Sequence, residues 1–197
     1  MRENLLADSF LRKTLLFSFV LFLFCTAYLN SVYFNQIEEQ VAWRALDEGA
    51  VLMMSHTHVE GADNPYRFRM GDCSTQVNLS ETGRTQARRV GQRFRKYGVD
   101  VGIVLHSRWC RTRETAALAF PGMTFADSSF DSFILRPEHE FFYTKQARKI
   151  ISSWKSSNAL VLMTHPENIL AVTGLNIIPG EALVLRNNIE VVGKIKF

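Results

Sequence analysis

Cysteine is scarce in this chain, with three residues in 197, and there is no polybasic block, no glycine-rich loop of the Walker kind and no cluster of carboxylates. Each absence excludes something. Three cysteines cannot build a disulfide scaffold. Without a phosphate loop or grouped carboxylates, magnesium-dependent phosphoryl transfer has no evident ligands. The net charge of +4 is modest and comes largely from arginines scattered between Arg67 and Arg113. With no DNA- or RNA-binding motif, that pattern suits an anionic small molecule and gives no nucleic acid partner. Hydrophobic residues make up 47% of the chain and charged residues 21%, the balance of a globular protein without a long disordered tract.

Charge is also missing locally. No charged residue occurs from Thr14 to Ile37, and Leu15 to Phe24 is almost wholly apolar, with Arg12 and Lys13 in front of it. A helix of about 20 apolar residues spans a bilayer, and positive charge stays on its cytoplasmic side. The segment reads as an N-terminal transmembrane anchor or as a secretory signal with small residues near Cys25-Thr26-Ala27. In both cases the bulk of the chain is expected on the periplasmic or extracytoplasmic side, and a retained anchor gives it the membrane as a partner. The expected division is 1–37 for a cytoplasmic stub and membrane segment and 38–197 for one soluble domain. Setting Cys25 aside, Cys73 and Cys110 either pair in an oxidising compartment or remain two free thiols.

What is present in the soluble part is a repeated pattern. Val51-Leu52-Met53-Met54-Ser55-His56 is an apolar run that ends in a polar cluster, and Val99–Leu105 and Ala159–Thr164 do the same. Such runs read as buried strands. Helical patterns separate them: residues 35–49, a helix capped by Ser80 and closed by Gly98, then 112–120, part of 140–155, and 167–173. A hairpin is expected near the end, turning at Asn187-Asn188. The fold class is α/β, a three-layer α/β/α sandwich with a mostly parallel central sheet, preceded by the N-terminal helix.

A single histidine at a strand end is ordinarily a structural residue. Here three strands each deliver basic or titratable groups at their carboxyl ends: His56 with His58, Arg111 just beyond His106, and His165. In an open α/β sheet these ends converge on one crevice. Two imidazoles and a guanidinium suit a phosphoryl group, one imidazole attacking phosphorus and the cation offsetting its charge.

These residues carry a resemblance to the histidine phosphatase superfamily, the phosphoglycerate-mutase-like fold, over roughly Val51 to Arg186. The stretches that resemble it are Ser55-His56-Thr57, Asp72-Cys73-Ser74-Thr75-Gln76, Leu79-Ser80-Glu81-Thr82-Gly83-Arg84, Ser107-Arg108-Trp109-Cys110-Arg111 with Glu114-Thr115-Ala116, Thr164-His165 with Asn168, and Gly180-Glu181. The resemblance implies that His56 is the nucleophile that forms a phosphohistidine, that His165 donates to phosphoryl oxygens, and that Arg111 clamps the phosphate. It implies a phosphorylated small-molecule substrate, and neither cofactor nor metal. The general acid is left among Glu138, Glu140 and Asp131, with His58 as a substitute on the strand face of His56.

The chain departs from the family pattern at Ser55, where arginine precedes the nucleophile, and at Thr57, where the family has a small residue. A hydrogen bond from a charged group is worth roughly 1.5–3 kcal/mol, so losing that arginine slows the reaction by about one to two orders of magnitude. Arg67, Arg69 and Arg84 are the candidates to reach in, and the substrate-binding set expected is Arg111, His165, Ser55, His58 and Arg69. Three functions follow. The first is a metal-independent phosphomonoesterase. The second is a catalytically impaired homologue that binds phosphorylated ligands or a protein partner. The third takes His56 and His58 as a metal pair.

Overall fold

The computed structural model describes residues 21–26, 28–29, 36–61 and 67–197. The chain divides into two units, Met1–Glu38 and Glu39–Phe197. In the first, residues 21–26 and 28–29 are helical, with Leu21, Phe22, Leu23 and Phe24 exposed. Most of the Thr14–Ile37 segment expected to cross a membrane lies outside the described residues. Among the described helices, none is long and apolar enough to do so.

The second unit opens with helical residues 39–47 (α1). It continues through β1 (Val51–Ser55), α2 (Glu81–Tyr97), β2 (Val101–His106), α3 (Cys110–Ala119), β3 (Thr124–Ala126), α4 (Glu140–Ser153), β4 (Ala159–Thr164), α5 (Pro166–Thr173), β5 (Glu181–Leu185) and β6 (Val191–Lys196). The sheet order is β3-β2-β4-β1-β5-β6. β3, β2, β4 and β1 run parallel, while β5 is antiparallel to β1 and β6 antiparallel to β5. The chain thus returns to place β4 between β1 and β2, which brings three parallel carboxyl ends side by side.

Alternation along each strand builds two cores. Leu52, Met54, Val161 and Met163 face α1, α2 and α3 through Leu46, Phe94 and Ala116. Val51, Met53, Leu160 and Leu162 face α4 and α5 through Ile151 and Ile169. β1 and β4 are buried along their whole length because helices cover both faces. The expected three layers and the terminal hairpin are present.

The helix ends follow from local chemistry. Ser80 caps α2 by accepting from the Gly83 N–H, and Gly98 closes it with φ +68°. Gly83 is needed for a second reason: a Cβ there would collide with the His58 carbonyl, so only glycine lets the first turn of α2 lie against the exit of β1. α3 lacks a side-chain cap from Trp109, and its first N–H, that of Cys110, is taken by the Gln76 Oε1 at 2.9 Å. Cys73 and Cys110 are joined as a disulfide, 37 residues apart, beside that contact.

Candidate functional site

The sheet order explains how the site assembles. His56 follows β1, the Ser107–Arg111 segment follows β2, and His165 follows β4, the strand between them. The His56 N–H donates to the Thr164 carbonyl at 3.0 Å and the Ser107 N–H to the Met163 carbonyl at 2.9 Å, so the three exits are laced together past the last ladder bonds. His56, His165 and Arg111 are 6%, 0% and 7% exposed.

The two imidazoles differ in what their nitrogens do. His56 Nδ1 lies 2.9 Å from the Thr57 carbonyl, which only accepts, so Nδ1 carries the proton and the Nε2 lone pair is left for chemistry. Burial first, then the charge of Arg111, lowers the His56 pKa to about 4, the Thr57 bond opposing the shift. The ring is therefore neutral, and a nucleophile, over the physiological range. His165 accepts at Nδ1 from the Arg111 Nη2 at 3.1 Å, so its Nε2–H donates to the Ser107 Oγ at 2.9 Å. Burial, Arg111 and His56 hold its pKa well below that of a free imidazole. Both ring nitrogens of His165 are thus engaged, and in this arrangement it positions Arg111. The ring centroids of His56 and His165 are 5.5 Å apart.

Arg111 is the cation of the crevice. Its guanidinium lies 4.4 Å from the centroid of the Trp109 ring, which also meets His165 edge-on at 5.4 Å. Burial lowers its pKa to about 10, opposed by the charge of Glu167, which leaves it protonated at neutral pH. Behind it, Ser107 Oγ donates to Asp131 Oδ1, and Asp131 also accepts from the Arg108 N–H, Nε and Nη2 at 2.7, 2.8 and 2.5 Å. A continuous chain of bonds runs from Arg111 through His165 and Ser107 to Asp131 and Arg108.

The remaining expected residues fall in several places. Ser55 is fully buried, on the same face of β1 as Met53, and its Oγ has no partner among the described residues. Thr57 turns away to Thr115, with its N–H and its hydroxyl each 3.2 Å from that Oγ1, which gives Thr115 of the Glu114-Thr115-Ala116 stretch its place. His58 does not share a strand face with His56, because β1 ends at Ser55; it is exposed, 3.2 Å from Ser80 Oγ, and lines a separate groove with Glu81 and Gln86. Arg69 is exposed, and the contacts that hold its loop are made by its backbone, to Thr75 and Gln76. Arg84 is bound to Glu114 at 2.7 Å, which raises its pKa, and so is committed between α2 and α3. Of the candidate acids, Asp131 is held by Arg108, while Glu138 and Glu140 line a groove beside Phe141 and Lys145. Among the described residues, no group of three or more histidine, cysteine or acidic side chains is placed to hold a metal.

Sequence reasoning missed Glu167, whose charge acts on Arg111 and whose Oε1 accepts from the Ser132 hydroxyl. It also missed Trp109 as the platform for Arg111. A carboxylate in the first turn of the helix after His165 was the available signal for the former.

The geometry can be set beside known proteins. The sequence model of the Histidine phosphatase superfamily (branch 1) matches residues 64–125. No curated protein matches the chain. Among solved structures, SixA of Agrobacterium tumefaciens, named as a candidate phosphohistidine phosphatase, aligns over 76% of this chain and 99% of its own at 12% identity and a TM-score of 0.57. Rv3214 of Mycobacterium tuberculosis aligns over 69% and 90% at 18% identity and a TM-score of 0.53. The mycobacterial glucosyl-3-phosphoglycerate phosphatase Rv2419c in complex with VO3 aligns over 70% and 92% at 13% identity and a TM-score of 0.52. What this chain shares with these three structures is the fold, and residues 64–125 are similar to the Histidine phosphatase superfamily (branch 1).

Proposed function

We propose that the protein hydrolyses phosphomonoesters without a metal, through a phosphohistidine formed on His56. The observation that carries the proposal is the state of that imidazole: neutral, with Nδ1–H fixed on the Thr57 carbonyl and Nε2 unbonded among the described residues, in a crevice whose cation is Arg111. In the first step the Nε2 lone pair forms a bond to phosphorus and the bond from phosphorus to the ester oxygen breaks. The ester oxygen leaves as the alcohol, taking its proton from water, and Arg111 offsets the charge on the phosphoryl oxygens. In the second step water attacks the phosphohistidine, inorganic phosphate leaves, and Nε2 regains its lone pair. Brief exposure to labelled aryl phosphate followed by denaturation tests this directly. The expected product is one label per chain on His56, stable in base and labile in acid, and turnover without such a label would falsify the assignment.

A second reading, a homologue that binds phosphorylated ligands with little or no turnover, is favoured by one observation. Ser55 stands buried where the family pattern has arginine, and Arg84 is already committed to Glu114. We further propose that the catalytic unit faces an extracytoplasmic compartment from a membrane-anchored chain. The uncharged stretch from Thr14 to Ile37 behind Arg12 and Lys13 supports this, and so does the Cys73–Cys110 pair, which persists where thiols are oxidised.

A further inference from the structure

Outside Trp109 lies a cleft of about 350 Å³ that the phosphoryl chemistry leaves unused. Phe68, Met70, Trp109, Leu135 and Tyr143 supply its apolar surface. Trp109 is the shared wall: Arg111 lies 4.4 Å from its ring centroid, and Phe68 stacks on it with ring centroids 4.4 Å apart. An ester whose phosphate is held by Arg111 therefore has its organic part about one aromatic ring away from this cleft.

Most of the polar groups in the cleft wall are already paired; among the described residues only the Trp109 Nε1–H and the exposed Arg136 guanidinium have no side-chain partner. Arg108 is bound to Asp131, His139 Nδ1 lies 2.9 Å from the Tyr143 hydroxyl, and Ser132 donates to Glu167. A sugar needs both donors and acceptors that can exchange its water for protein bonds, and a wall whose unpaired groups are two donors, the Trp109 N–H and Arg136, offers no free acceptor to its hydroxyls. An apolar group needs only surface, and here Leu135 of the cleft wall is 55% exposed, while Ile134 and Phe142, the chain neighbours of lining residues Leu135 and Tyr143, are 62% and 55% exposed. Single exposed apolar residues are ordinary, whereas a group of them at the mouth of a cleft marks a binding surface.

We infer that the cleft in front of Trp109 receives an apolar leaving group, so that the substrate class is an amphiphilic phosphomonoester carrying an alkyl chain or hydrophobic ring. This rests on the phosphatase reading of the crevice, and the test separates the two. Methyl-, butyl- and hexylphosphonate, which cannot be hydrolysed, are titrated calorimetrically into the full chain. Burial of each methylene is expected to tighten Kd by up to about fourfold, and Leu135→Asp and Met70→Glu are each expected to reduce the hexyl-to-methyl affinity ratio by tenfold or more. Equal affinities along the series, absence of binding by all three, tighter binding of glucose 6-phosphate than of hexylphosphonate, or a ratio that persists in both variants would overturn the inference. Binding does not require turnover, so a graded series in a protein that hydrolyses nothing overturns the phosphatase reading and, with it, the leaving-group role, while it supports the cleft as the apolar subsite for the same amphiphilic phosphate as a bound ligand. Equal hydrolysis of methyl and hexyl phosphate with a flat binding series does the reverse.

Discussion

The exit of β1 and the neighbouring exits of β2 and β4 face one crevice and are built differently. Among the described residues, His56 at β1 makes a single side-chain bond and the Ser55 hydroxyl makes none. At β2 and β4, Arg111, His165, Ser107, Asp131 and Arg108 form one connected network. The sparse end leaves a nitrogen able to react. The dense end fixes a cation in advance, so that little reorganisation is needed when charge develops on a phosphoryl group. The two ends also differ in charge, since the cation that acts on His56, Arg111, comes from the β2 side of the crevice.

Breaking each end in turn tests this contrast. Removing the reactive nitrogen by His56→Ala is expected to lower kcat/KM on an aryl phosphate by about a thousandfold or more, with the circular dichroism of the folded domain unchanged. Removing the clamp by Arg111→Ala is expected to cost about a hundred- to a thousandfold in kcat. Supplying charge to the sparse end by Ser55→Arg sharpens the comparison in the other direction. A hydrogen bond from a charged group predicts a gain of about ten- to a hundredfold in kcat/KM. The larger side chain enters a fully buried position and is expected to lower stability by about 1–3 kcal/mol. Thermal unfolding measured beside the kinetics separates the two effects, and a folded variant without gain would show that the β1 end is not short of charge.

A further contrast concerns pH. The His56 pKa is lowered to about 4 in the folded protein, against 6.5 when exposed, and that of His165 is lowered in the same direction. Between those values the unfolded chain binds more protons than the folded one, so acidification favours unfolding. The stability these neutral rings contribute is complete above pH 6.5 and is lost as pH falls toward 4, about 3 kcal/mol from His56 alone. Urea unfolding at pH 7.5, 6, 5 and 4 checks the slope, and His56→Phe should flatten part of it. A stability that does not change from pH 7 to 4 would contradict the buried neutral state.

Much of this was legible in the sequence because it is written in local patterns. The β1 and β4 runs are uninterrupted by polar residues since both faces of these strands are covered, and Ser80 and Gly98 mark α2 by cap chemistry alone. His56, Arg111 and His165 were read together because His56 and His165 directly follow strands and Arg111 opens the helix after β2, and the parallel order of β2, β4 and β1 brings those positions to one place. Long-range pairing was not legible. Nothing near Asp131 announces that it takes Arg108, 23 residues back, or that Arg84 is bound to Glu114 from the next helix. His58 was expected on the face of His56 from a period of two, but that period holds only while a strand continues, and β1 stops at Ser55. The paired or free state of Cys73 and Cys110 was left open for the same reason, since it depends on where the long loop folds back.

That pair has a consequence beyond holding the loop in place. A link between residues 37 apart removes conformations from the unfolded chain, worth about 4 kcal/mol by loop-closure entropy. The closed loop contains α2 and β2 and has its far end inside the segment that carries Arg111. In a reducing compartment the denatured ensemble regains that freedom, so the population of folded protein with an assembled anion site becomes a function of where the chain is made.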